Sequence, residues 1–111
     1  MKPRRSVCPV ACTLDILGDK WTLLVVRDML LGNTMFKEFM ASPEGIATNI
    51  LSDRLQRLVE CGIAERFTPE DSNGKDAYRL TPKGKDLRPV ILAMLKWGEK
   101  HVEGSEARLK K

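Results

Sequence analysis

A chain of 111 residues with 42% hydrophobic content is long enough for one compact core and too short for two, so it reads as a single domain over 1–111. Its apolar runs, such as Leu23 to Val26, fall far short of a membrane helix, and residues 1–15 lack the apolar core and cleavage site of an export signal, so no membrane association and a cytoplasmic location are expected. The net charge of +4 is compatible with a polyanionic partner, and three cysteines without an export signal argue against a disulfide framework.

Residues 1–7 read as a flexible basic arm with Lys2, Arg4 and Arg5 and no acid, either tracking a phosphate backbone or simply solvated. Cys8-Pro9 starts a helix over 9–17, since proline suits the first helical position, and Gly18 closes it. Asp19 then caps a second helix, whose Trp21, Leu24, Val25, Met29 and Leu30 are too many for one narrow stripe; that helix is expected to be central and mostly buried. The stretch 34–61 reads as helix, turn, helix. A first helix near 35–41 buries Phe36, Phe39 and Met40, and Ser42-Pro43-Glu44-Gly45 turns sharply. The second helix, about 47–61, lines up Leu51, Leu55, Leu58 and Val59 on one stripe. At about 100° per residue, Asn49, Ser52, Asp53, Gln56 and Glu60 fall opposite. That outer face is rich in the amides and hydroxyls that read base edges in a major groove, where an ordinary solvated helix more often carries Glu and Lys. The layout is a helix-turn-helix.

After Gly62, residues 63–67 alternate apolar and polar as a half-buried strand does, and 77–80 return beside them across a loop containing Asn73-Gly74. A hairpin over 63–80 placed directly after a reading helix is a wing, which commonly lies against phosphates or the minor groove. Lys75 at its tip is offset by Glu70, Asp71 and Asp76, so one or two phosphate contacts are the most expected of it. Thr81 is the N-cap and Pro82 the first-turn residue of a helix over 82–103. Its Leu87, Val90, Ile91, Met94, Leu95, Trp97 and Val102 cover more surface than one small domain needs, so a partner helix is expected. Pro89 cannot donate to the carbonyl of Lys85, so a kink or break is expected near it.

Taken in order, Cys8-Pro9, Gly18-Asp19-Lys20-Trp21-Thr22, Phe36-Lys37-Glu38-Phe39, Gly45-Ile46, Leu51-Ser52-Asp53-Arg54-Leu55, Gly62-Ile63, Tyr78-Arg79-Leu80-Thr81 and Trp97-Gly98 resemble the HxlR-type winged helix-turn-helix transcriptional regulators over about Cys8 to His101. The resemblance implies a mainly α fold with a small β-hairpin, a winged helix-turn-helix with N-terminal and long C-terminal dimerisation helices. It implies a homodimer, joined through those helices at Val10, Leu14, Leu87, Ile91, Met94, Leu95 and Trp97. Its partner is double-stranded DNA bearing an inverted repeat, with the Asn49 region in two successive major grooves. Many similar proteins sense electrophiles or oxidants through one N-terminal cysteine, here Cys8. The chain departs from the pattern at Met35, Met40 and Ala41, where similar proteins often carry basic residues, which leaves Lys37 largely alone as a phosphate anchor. Ala47 stands where a serine caps better, so Thr48 is expected to cap the helix and face phosphate.

Cys8 also has a chemical case, because a thiol at a helix N-terminus feels the positive end of the dipole and Arg4 or Arg5 would favour thiolate further. It is the candidate redox sensor; the plainer role is a small residue at a dimer seam. Cys12 and Cys61 read as core fillers, and with His101 the three cysteines lack the paired spacing of a zinc site. No metal or other cofactor is expected. Along the reading helix, Asn49 and Gln56 suit adenine, whereas Arg54 and Arg57 on the flanks suit phosphate or guanine. Asp53 needs cytosine or an arginine, and Arg57 at i+4 is the expected partner. One histidine, with no phosphate-cradling glycine loop and no nucleophile elbow, argues against an enzyme. The expected function is a homodimeric sequence-specific DNA-binding transcriptional regulator that answers a small-molecule or redox signal. The alternative is a winged-helix protein–protein adaptor without DNA binding, which the modest charge and acidic wing leave open.

Overall fold

Pro9 opens the first helix, α1 (Pro9–Leu17), in a computed structural model that describes residues 5–106. Its end matches the expected one, with the Gly18 N–H donating to the Leu14 carbonyl at 2.8 Å. Asp19 then accepts from the N–H groups of Trp21 (3.0 Å) and Thr22 (3.1 Å), satisfying two of the donors that the start of α2 (Thr22–Leu30) leaves free. Trp21 itself occupies the cap position. As expected, α2 is central: Thr22, Val25, Val26, Asp28 and Met29 are buried, and the helix touches α4 (Thr48–Glu60), the hairpin and the last helix.

The helix-turn-helix starts with α3 (Phe36–Met40), where Glu38 accepts from the N–H groups of Met35 (2.8 Å) and Thr34 (3.0 Å). Phe39 is buried and Phe36 and Met40 are packed against the core. In α4 the stripe of Leu51, Leu55 and Leu58 is fully buried, with Val59 half-buried beside it. Each of those leucines contributes about 2 kcal/mol of burial, which is what seats the helix. The cap expected of Thr48 is not formed. Ala47 takes the extended cap conformation (φ −72°, ψ 148°) with no side chain to bond, so Thr48 becomes the first helical residue.

Strands β1 (Ala64–Phe67) and β2 (Ala77–Leu80) pair antiparallel, with Ala64 opposite Leu80 and Phe67 opposite Ala77. The expected alternation of burial fails at the start of β1. Ile63 and Ala64 are both buried, and Glu65 and Arg66 are both exposed. Ile63 still belongs to the turn that closes α4, donating its N–H to the Leu58 carbonyl at 2.9 Å, so it points into the core whatever the strand periodicity asks. The segment before α3 also joins the sheet edge. Tyr78 donates its N–H to the Thr34 carbonyl at 2.9 Å, and Met35 bridges to Ala77, a pairing the sequence pattern does not announce.

The helix expected over 82–103 is divided into α5 (Pro82–Lys85) and α6 (Arg88–His101) by a turn at Asp86 and Leu87. Thr81 caps α5 by accepting from the Gly84 N–H at 3.2 Å. Gly84 is buried where an added Cβ would collide with the Ile63 carbonyl and meet Leu80 Cδ2 at 2.9 Å, so the tight approach of α5 to the hairpin requires glycine. The break lies just before Pro89, which sits in the first turn of α6, where its missing N–H is not needed. Among the described residues no helix is long and apolar enough to cross a membrane.

Candidate nucleic-acid interface

Burial of Leu51, Leu55 and Leu58 turns the opposite face of α4 outward, and Thr48, Asn49, Ser52, Asp53, Gln56 and Glu60 are all exposed on it. Gln56 is held by Glu60 one turn on, donating to its carboxylate at 3.0 Å, a bond that does not use the amide oxygen as acceptor. Asp53 does not pair with Arg57. Its carboxylate is bonded by Arg54 Nη1, because Arg54 is drawn beside it by a second bond from Nε to Asp19 at 2.8 Å. Arg54 is therefore not the free flank cation expected for phosphate or guanine; its side chain is only 19% exposed. Arg57 remains a half-buried flank residue.

Asp19 is the anchor of that arrangement. Burial pushes its pKa up, yet bonds from the Thr22 hydroxyl, Arg54 and the N–H groups of Trp21 and Thr22 outweigh it and hold the carboxyl well below the usual range. A second half-buried arginine holds the turn between α3 and α4. Arg27 of α2 meets Glu44 through two 2.8 Å bonds, Ser42 Oγ at 2.9 Å and Asp28 at 2.9 and 3.0 Å. The guanidinium brings the Glu44 pKa down to about 2 against an opposing cost of burial. The sequence offered one signal for this clamp that was passed over, an Arg-Asp pair inside the apolar run of residues 22–31.

The other expected contacts lie at the margins. Lys37 is exposed on α3, and Lys75 is exposed in the wing loop beside Asn73 and Gly74, whose φ angles of 54° and 80° make the turn. Ser72 Oγ ties the loop to the carbonyls of Pro69 (2.7 Å) and Lys75 (2.8 Å). Asp76 accepts from the Thr68 hydroxyl at 3.0 Å and lies 3.9 Å from Arg66, so part of the acid thought to offset Lys75 is engaged behind the tip. Arg66 and Arg79 are exposed wing cations that the sequence reading did not single out. Arg79 pairs with Glu65 at 2.6 Å and lies 4.3 Å from the Phe67 ring centre.

Cys8 is exposed at the cap of α1. The N–H groups of Ala11 and Val10 hold its thiol below the ordinary value. The expected help from Arg5 is absent, because that guanidinium bonds Asp15 at 2.7 Å and the Ala11 carbonyl at 3.5 Å; Lys2 and Arg4 lie outside the described residues. Cys12 donates its thiol to the Ser6 carbonyl at 3.4 Å and is half-buried, as is Cys61 at the end of α4.

The residues expected at a dimer seam divide into two sets. Val10, Leu14, Met94 and Trp97 are 67%, 53%, 54% and 63% exposed. Ile91, by contrast, is buried in its own chain, and Leu87 and Leu95 are half-buried against the same core. Trp97 has the His101 ring as neighbour, 5.0 Å between centres.

Against known proteins, the sequence pattern of the HxlR-like helix-turn-helix family matches residues 16–106. Rv3095 of Mycobacterium tuberculosis, an uncharacterized HTH-type transcriptional regulator, is 34% identical over 87% of this chain, and the chain spans 61% of that relative's length. The crystal structure of PA1607 is 42% identical with a TM-score of 0.84, covering 97% of this chain and 77% of that one. The redox regulator HypR in its reduced form is 33% identical with a TM-score of 0.78, over 86% of this chain and 95% of its own.

Proposed function

This chain belongs to the HxlR-like helix-turn-helix family, and from that premise we propose that it is a transcriptional regulator that binds an inverted-repeat operator as a homodimer. The observation that carries the reading is the outward face of α4, where short amide and hydroxyl side chains are exposed over a fully buried leucine stripe. Asn49 and Gln56 read adenine edges; Thr48 and Ser52 bond phosphate or base; Lys37 and Lys75 contact phosphates. Asp53, already joined to Arg54, accepts from a cytosine amine or stays paired.

Dimerisation supplies what one helix cannot, since two half-sites multiply the discrimination of a few bases. The apolar residues Val10, Leu14, Met94 and Trp97 on α1 and α6 support a self-association seam, because monomers rarely leave large apolar patches in water. Regulation runs through Cys8, whose lowered pKa favours the thiolate, the nucleophile that attacks electrophiles and peroxides. The likeness to HypR supports that part of the reading.

The test is selection of bound duplexes from a random pool, with reduced protein and again after a mild thiol oxidant. Enrichment of an inverted repeat with half-sites about one or two helical turns apart supports the reading. Loss of binding on oxidation in the parent but not in Cys8→Ser assigns the signal to that thiol. A folded protein that enriches no duplex in either state moves the protein–protein adaptor to the front.

A further inference from the structure

Two arginines reach across the helix-turn-helix, and they hold different things. Arg27 grips the turn before α4. Arg54 lies within α4 itself and reaches 35 positions back to Asp19, in the junction between α1 and α2. Its Nε donates to Asp19 Oδ2, and Nη1 donates to Asp53. Asp19 is fixed in turn by the N–H groups of Trp21 and Thr22 and by the Thr22 hydroxyl, so it is a built acceptor and not a mobile surface acid. The junction requires glycine at position 18, where an added Cβ would collide with the Leu14 carbonyl.

The leucines of α4 hold the helix by hydrophobic burial, which is non-directional. A planar guanidinium shared between two carboxylates is directional. We propose that Arg54 is a positioning residue and not a DNA contact: with Asp19 it sets the rotation of α4, and hence which side chains its outer face presents. The assignment rests on α4 being the face that meets DNA.

A double-mutant cycle on operator binding tests it, using Asp19→Asn, which keeps a capping oxygen but removes the charge, Arg54→Gln, and the pair together. The proposal expects each single change to weaken specific binding about tenfold. It expects the double change to be no worse than either single, and the salt dependence to keep its slope. Overturning it takes the opposite pattern: Asp19→Asn neutral or tighter, with Arg54→Gln lowering the salt slope by about one, the mark of a lost phosphate contact. If the parent protein selects no duplex, the DNA reading fails and the bridge is judged by amide exchange in the first two turns of α4. Faster exchange in both single variants, not increased further in the double, retains Arg54 as the helix anchor; unchanged exchange removes it.

Discussion

The helix-turn-helix and the outer side of α1 and α6 both face solvent, yet they are finished to different degrees. Around α4 several polar groups are joined to one another: Arg27 with Glu44, Asp28 and Ser42, Arg54 with Asp19 and Asp53, Gln56 with Glu60. On α1 and α6, Val10, Leu14, Met94 and Trp97 are large apolar side chains standing in water. A polar face is content in water before its ligand arrives, whereas an apolar face gains free energy only when something covers it. The first is ordered within a single chain, and on the proposed function the second is completed by association.

The sharpest way to break that contrast is to remove the clamp. Arg27→Ala removes the guanidinium shared by Asp28, Glu44 and Ser42, and should cost about 2–4 kcal/mol in chemical denaturation. A loss below about 1 kcal/mol would mean the turn is held by packing instead. On the other region, Trp97→Glu should leave helix content intact by circular dichroism while light scattering reports a monomer. Operator affinity should then fall by about a hundredfold, as expected when two linked sites become one. A dimer that survives the charge would place the seam elsewhere.

Finer changes separate reading from anchoring within α4. Gln56→Ala should cost about 1–3 kcal/mol at the cognate site and relax preference at one base position, whereas Lys75→Ala should weaken all duplexes alike. Equal losses on specific and random DNA would remove Gln56 as a reader. The smallest expected effect is with pH. The folded pKa of Glu44, about 2, lies below its ordinary 4.5, so its contribution is complete above pH 4.5 and is lost as pH falls towards 2. Allowing for solvent screening of a side chain one-third exposed, that is about 1–2 kcal/mol. It should appear as acid sensitivity in the parent and be missing from Glu44→Gln.

Most of the architecture was legible because its causes are local. Pro9, Gly18, Thr81 with Pro82, and Asn73-Gly74 act within a few residues of themselves, and the leucine period of α4 needs nothing beyond its own helix. The misplacements have a common cause too. Thr48 is expected to cap, but Ala47 takes the cap conformation one residue earlier; Pro89 announces a break, and it falls at the Asp86–Leu87 turn that follows α5, whose Gly84 packs against the hairpin. Asp53 was paired with Arg57 by helix spacing, and no spacing rule includes an acceptor 35 residues away.

By itself, then, the sequence determined the order of helices and hairpin, the buried side of α4, and the outward polar side chains, since periodicity, caps and turn chemistry are short-range properties. Only the tertiary structure decided which carboxylate each arginine takes, whether Ile91 faces its own core or a partner, and how the Thr34–Met35 segment joins the hairpin edge. Those outcomes depend on which elements meet. A guanidinium bonds whichever acceptors folding brings within reach, and an apolar side chain is covered by whichever neighbour arrives.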